Sequence, residues 1–261
     1  MKALSTAATG MLAQQLNVEV ISNNIANMNT TGYKRQRAEF QDLLYQNIER
    51  VGATSSDAGT ILPSGIQIGV GVKTGSIYRI TEQGSLVESK NPYDLAINGR
   101  GYFRITLPDN TDAYTRSGSF QLSPVGQLVT PDGYIVAPGL TVPPDAIDVA
   151  INERGQIQVK LAGQIEPQLI GQVELVTFPN DAGLEALGDN LLAETPASGA
   201  PVVGVPGDVG FGTVRQGFVE TSNVNPVAEI TALITAQRAY EMNSKVITTA
   251  DEMMSVTSNL R

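Results

Sequence analysis

The sequence predicts an α+β protein: terminal α-helices that form an inner coiled-coil domain, and a β-rich central domain of short antiparallel strands. Three observations carry this. Apolar residues recur every seven positions at both ends of the chain. The 26 Gly and 14 Pro fall almost wholly between those ends. There they bound short runs with the β-branched and aromatic content of strands.

The first element is a helix. Leu4, Met11, Val18 and Ile25 lie seven apart, and Ala7, Gln14, Ile21 and Met28 follow three positions on, an a/d seam over nearly four heptads. Leu12, Leu16 and Val20 lie off that seam, so the helix has apolar surface on more than one side. Thr6, Asn17 and Asn24 form a narrow polar strip. The start, MKALSTAATGMLA, has the outline of a signal peptide, but Ser5, Thr6, Thr9 and Gly10 interrupt it and the period runs on, so it is expected to be retained. In SNNIANMNTTGYK, residues 22–34, Ile25 and Met28 continue the seam while Asn23, Asn24 and Asn27 take the other faces. Asn29-Thr30-Thr31-Gly32 then supplies residues that end a helix, since Gly and Asn tolerate the left-handed conformation. The Asn amides are suited to hydrogen bonds between packed subunits that fix register more than they add stability.

Residues 36–73 follow as strand-capable flanks, FQDLLYQNI and ILPSGIQIGVGV, around a small polar tip, VGATSSDAGT. The centre continues as strands: YDLAINGRGYFRITL, DAYTRSGSFQLSP, GQLVTPDGYIVAP, ERGQIQVKL and GQVELVTFP, with turns at Pro108-Asp109-Asn110 and Pro131-Asp132-Gly133. Residues 196–213, rich in Pro and Gly, read as an irregular connector. The last element is again a helix, with Asn225 as N-cap and Pro226 at its first position. Leu233, Tyr240, Ile247 and Met254 form one seven-residue ladder, and Ala239, Val246, Met253 and Leu260 a second beside it. Arg238, Glu241, Lys245 and Glu252 gather on a charged face. Each terminal helix carries more apolar surface than one partner covers, which points to self-assembly into a bundle, with termini poorly ordered until then.

Composition excludes much chemistry. With no Cys and no His, the chain offers no disulfide, no thiol nucleophile, no Ser-His-Asp arrangement and few transition-metal ligands. A net charge of −9 argues against nucleic acid as a partner. No apolar run is long enough to insert in a membrane. Asn98-Gly99-Arg100-Gly101 lacks the third Gly and the helix of a dinucleotide site, and Gly71-Val72-Lys73-Thr74 lacks the Gly before Lys of a phosphate loop. Among the 26 Asp and Glu no spacing singles out an acid/base pair. No catalytic, metal or cofactor-binding residue is expected, and no cofactor.

SNNIANMNTTGYKRQ resembles the N-terminal signature of the flagellar rod and hook axial proteins, and GFVETSNVNPVAEITALITAQRAYEMNSKVITTADEM their C-terminal signature. DLAINGRGYF, YTRSGSFQLSPVGQLVTPDGY and FPNDAGLEALGDNLLAET are similar to their shared central domain. Within the family, RQRAEFQDLLYQNIERVGATSSDAGTILPSGIQIGVGVK resembles distal-rod members, with proximal-rod and hook paralogues as alternatives.

The resemblance implies three regions: residues 1–30 with 226–261 as a helical inner tube, 31–75 with 214–225 as a connecting segment, and 76–213 as an outer β domain. It implies a subunit contact through Leu4, Met11, Val18, Ile21, Ile25, Met28, Leu233, Tyr240, Val246, Ile247, Met253, Met254 and Leu260. Signature residues would be Asn23, Asn24, Asn27, Thr31, Gly32, Tyr33 and Lys34. A rod-specific stretch would hold Tyr45, Gln46, Ile48, Leu62, Pro63, Ser64 and Gly65. The implied function is a helical homopolymer, a rigid hollow shaft that spans the periplasm in the basal body, transmits torque to the hook and conducts exported subunits. Its implied partners are proximal rod proteins, the hook protein, the L-ring and P-ring bushings and the flagellar export apparatus. From other classes, a surface-binding β module on a helical stalk predicts a closed oligomer. A peptidoglycan hydrolase predicts an essential carboxylate.

Overall fold

The computed structural model describes residues 2–49, 65–164 and 166–259. It divides into two compact units, one comprising Met1–Ile25, Gln36–Tyr78 and Asn225–Arg261, the other Ala26–Arg35 and Arg79–Val224.

The first unit is built on two helices, α1 (Lys2–Ala26) and α2 (Pro226–Asn259). Asn225 caps α2: its Oδ1 accepts from the N–H groups of Val227 and Ala228 at 3.1 and 3.2 Å, and Pro226 follows where no N–H is needed. The helices run antiparallel. Asn24 lies against Glu229, and a Cβ on Gly10 would stand 3.0 Å from Asn243, two heptads further along each helix. Buried positions are Ala7, Ala13, Val20, Ile21 and Asn24 on α1, and Glu229, Ala236 and Ala250 on α2. On α2 the covered positions are therefore small or polar, while α1 adds Val20 and Ile21. The polar strip read from the sequence turns inward at Asn24, which is 1% exposed.

Four strands complete this unit: β1 (Gln36–Asp42), β2 (Tyr45–Glu49), β3 (Ile66–Gly69) and β4 (Val72–Arg79). β1 pairs with β4, and β2 pairs antiparallel with β3, Tyr45 opposite Gly69 and Gln46 opposite Ile68. The bonds Leu43 N–H to Gly71 O and Val70 N–H to Leu44 O join the two pairs into one long ribbon. The tip at 51–60 lies outside the described residues. At Gly71 (φ +129°) the ribbon closes on α1: Val72 N–H donates to Thr9 Oγ1 at 3.3 Å, and a Cβ on Gly71 would sit 2.2 Å from that same oxygen.

The second unit is all antiparallel strands. Its largest sheet runs Glu185–Gly188, Leu191–Ala193, Asp112–Thr115, Tyr102–Thr106, Ile135–Val136, Leu128–Val129 and Gln121–Leu122, with Leu175–Thr177 and Val202–Gly204 branching from Tyr102–Thr106. A three-stranded sheet holds Ala146–Ile151, Gln156–Leu161 and Gln168–Gln172, and two ladders pair Leu95–Asn98 with Thr213–Gln216 and Leu86–Glu88 with Phe218–Glu220. The period of two sends neighbours to opposite faces. Phe103 enters the main core with Leu95, Ile97, Phe120, Val159 and Leu175, while Tyr102 joins Tyr114, Phe178 and Leu184 on the other side. Phe103 meets Phe120 edge-on at 5.1 Å between ring centres, and Tyr114 meets Phe178 at 4.8 Å. Within the stretch expected to be irregular, Val202–Gly204 forms a strand against Leu175–Thr177. The flanking Pro and Gly hide that strand from a period count.

Candidate assembly interface

The helix ladders separate into covered and uncovered residues. On α1, Ile21 is buried and Leu4, Met11, Val18 and Ile25 are half-buried, whereas Met28 lies past the helix end and is exposed. On α2, Leu233 and Ile247 are half-buried. Tyr240, Val246, Met253 and Met254 are 43%, 47%, 60% and 39% exposed, and Leu260 lies outside the described residues. Leu12, Ile230, Ile234, Met242 and Val256 add further exposed apolar side chains. Side chains of this size normally leave water, so these ladders form an exposed apolar surface among the described residues.

The β ribbon of the same unit presents a second such surface. Tyr45, Gln46 and Ile48 of β2 are exposed, with Ile48 at an irregularity in the pairing, and Ile66, Ile68 and Leu44 are exposed beside them. Gly65 is half-buried, and Leu62, Pro63 and Ser64 lie outside the described residues. A two-stranded ribbon with uncovered apolar side chains has little stability alone.

The signature residues divide differently. Asn23 is exposed, Asn27 half-buried and hydrogen-bonded from Thr30 Oγ1 at 3.1 Å, and Asn24 buried against Glu229 and Gln36. Thr31 Oγ1 lies 3.0 Å from Ser117 Oγ. Gly32 adopts φ +70° and donates its N–H to Glu220 O at 2.8 Å, while a Cβ there would meet Ser117 N at 2.6 Å. Tyr33 is half-buried. Lys34 is buried, and its Nζ donates to Glu220 Oε1 at 2.6 Å and to Glu82 O at 2.8 Å.

Glu220 is the centre of this second cluster. Its other carboxylate oxygen accepts from Arg116 Nε at 2.7 Å, and Oε1 also accepts from Gly84 N–H at 2.9 Å. Arg116 spends its remaining donors on the carbonyls of Gly99 and Gly101. Burial opposes ionisation of Glu220, but the Arg116 guanidinium and the Lys34 ammonium outweigh it and hold the carboxyl below its usual range. This is a structural clasp. Each charge is paired and hydrogen-bonded, and the three side chains are buried. Its members Arg116 and Glu220, like Glu229 on α2, carry no periodic signal and are not singled out by the sequence. Among the described residues no group of three acidic, His or Cys side chains could hold a metal. No helix of the described residues is long and apolar enough to cross a membrane.

Terminal helices with uncovered apolar ladders, joined to an antiparallel β unit, define a subunit of the flagellar axial type. Three family models agree: "Flagella basal body rod protein" over residues 4–34, "Flagellar hook protein FlgE/F/G D1 domain" over 96–159, and "Flagellar basal body rod FlgEFG protein C-terminal" over 215–260. The chain is 62% identical to the flagellar basal-body rod protein FlgG of Caulobacter vibrioides, covering 100% of both chains. It is 54% identical to that of Agrobacterium fabrum over 99% of this chain and 98% of the relative, and 39% identical to that of Bacillus subtilis over 100% and 99%. The chain belongs to the FlgG family of flagellar basal-body rod proteins.

Proposed function

We propose that this chain is a structural subunit of the distal rod, polymerising helically through its terminal helices into a stiff hollow shaft, with no enzymatic role. The observation that carries this reading is the choice of faces in the helix pair. On α2 the small or polar Glu229, Ala236 and Ala250 are buried, while Tyr240, Val246, Met253 and Met254 stay exposed. A further copy supplies the missing cover. A repeated head-to-tail contact whose rotation does not close generates an open helix. The inner-tube, connecting and outer regions remain the working layout of the assembly. The ribbon of β1–β4 is the element proposed to wedge between neighbours and stiffen the shaft. Proximal rod proteins, the hook protein, the L-ring and P-ring and the export apparatus are the proposed neighbours.

Electron microscopy of the purified, polymerised protein tests the proposal. A straight tube is expected. A curved tube would assign the chain to the hook, and short closed rings would overturn helical assembly.

A further inference from the structure

We infer that Asn24 and Glu229 form a register joint inside one subunit, which fixes the axial alignment of α1 against α2. The Asn24 amide is 1% exposed and grips two elements at once. Its Oδ1 accepts from Gln36 N–H at 2.9 Å, and its Nδ2 donates to Gln36 O at 2.8 Å and to Glu229 Oε2 at 3.2 Å. The amide thus pairs with the first residue of β1 as a neighbouring strand would, and its second N–H reaches the partner helix. Glu229, also 1% exposed, is the one carboxylate among the described buried helix residues, the others being Ala7, Ala13, Val20, Ile21, Asn24, Ala236 and Ala250.

Such a seam needs a device of this kind. Gly10, Asn17 and Asn24 stand on one seven-residue ladder, facing Asn243, Ala236 and Glu229 on another. The small side chains at these contacts give few knobs to set an alignment. Sliding α2 by one heptad would put Ala236 opposite Asn24, Asn243 opposite Asn17 and Ala250 opposite Gly10: the contact at Asn17 gains an amide, and those at Asn24 and Gly10 become smaller. What opposes the slide is chemical: Asn24 loses its acceptor and Glu229 loses its Asn24 donor in the interior. One polar pair in an otherwise permissive seam is a known means of selecting a single register. That register also sets where the exposed ladders of α2 lie along those of α1, a consequence that rests on the assembly proposed above.

The chain contains no Cys, so engineered pairs report register directly. In the full-length protein, Gly10→Cys with Asn243→Cys is expected to form an intrachain disulfide on mild oxidation of the soluble chain. Gly10→Cys with Ala250→Cys, which reports the slid register, is not. Adding Asn24→Asp places an acceptor against both Gln36 O and Glu229, and the 10–243 yield should fall at least about fivefold, the equivalent of one lost hydrogen bond. Adding Glu229→Gln to that variant restores a donor at the partner helix while Gln36 O stays opposed to an acceptor, and should recover part of the yield.

An unchanged 10–243 yield in the Asn24→Asp variant overturns the joint, as does a double variant that yields no more than Asn24→Asp alone. So does absence of the 10–243 disulfide in the parent pair, or loss of the β-unit melting transition, read by tyrosine near-ultraviolet dichroism, in the single variant. A chain that obeys this pattern yet never polymerises leaves the joint standing and overturns the assembly. A chain that polymerises without the 10–243 pairing overturns the joint alone.

Discussion

Replacing Glu220 by Gln strikes the clasp of the β unit at its centre. The side chain is 1% exposed and takes donors from Lys34, Arg116 and Gly84. The neutral amide keeps the volume but leaves two buried cations with no counter-charge. Breaking a buried ion pair by removing one partner costs about 3–5 kcal/mol. For a unit of this size that lowers Tm by roughly 6–20 °C. Lys34→Met should cost less, because Arg116 Nε and Gly84 N–H remain on the carboxylate. Thermal melting followed by tyrosine near-ultraviolet dichroism reads both.

The pH dependence supplies a second check. The folded-state carboxyl is held below its ordinary value of 4.5, so its contribution is fully present above that pH and is lost as the pH falls through the depressed value. The gap in Tm between the parent and Glu220→Gln should therefore be constant near neutrality and close only in acid. A Glu220→Gln variant melting within about 2 °C of the parent at neutral pH would refute the clasp, since that is less than 1 kcal/mol.

Three further outcomes are expected. Gly32→Ala forces a side chain into a left-handed residue against Ser117, and should destabilise the β unit by more than about 1 kcal/mol in denaturant titration; no change would mean the turn relaxes freely. Val246→Asp or Met253→Asp should raise the concentration needed for polymerisation at least roughly tenfold, as burying one such side chain is worth about 1.5–3 kcal/mol, while β-unit melting stays put; unaltered pelleting would remove α2 from the contact. Deleting residues 51–60 should give a shaft with a shorter persistence length in electron micrographs, and equal stiffness would dismiss the ribbon as the stiffener.

Much of the architecture was legible because it is written in local terms. The seven-residue ladders give two helices, and Asn225-Pro226 marks the start of the second. Pro131-Asp132-Gly133 marks a turn that the structure closes with Gly133 N–H to Thr130 O at 2.9 Å. Pro108-Asp109-Asn110 marks another, with Asn110 at φ +61° between two paired strands. Periodicity locates apolar faces but does not say what covers them. Hence the ladders of large residues stand out in the sequence, and Ala7 and Ile21 of the seam are indeed buried, while Gly10, Asn24 and Asn243, which also meet where the helices pair, are selected by no hydrophobic count. The clasp was invisible for a different reason. Lys34, Arg116 and Glu220 lie far apart in the chain, and each taken alone is an ordinary surface charge.

The clasp and the ladders beside it also set the order of folding. Among the described residues Leu95–Asn98 pairs as a strand with Thr213–Gln216, and Leu86–Glu88 with Phe218–Glu220. Lys34 and Arg116 wait for the same late segment. These are long loop closures, whose entropic cost comes before any contact repays it. If the chain passes through the hollow shaft proposed above with its N-terminus first, it would lack the pairing that completes its β unit until residues 213–220 had emerged. Such a chain would stay threadable in transit and lock only at the end.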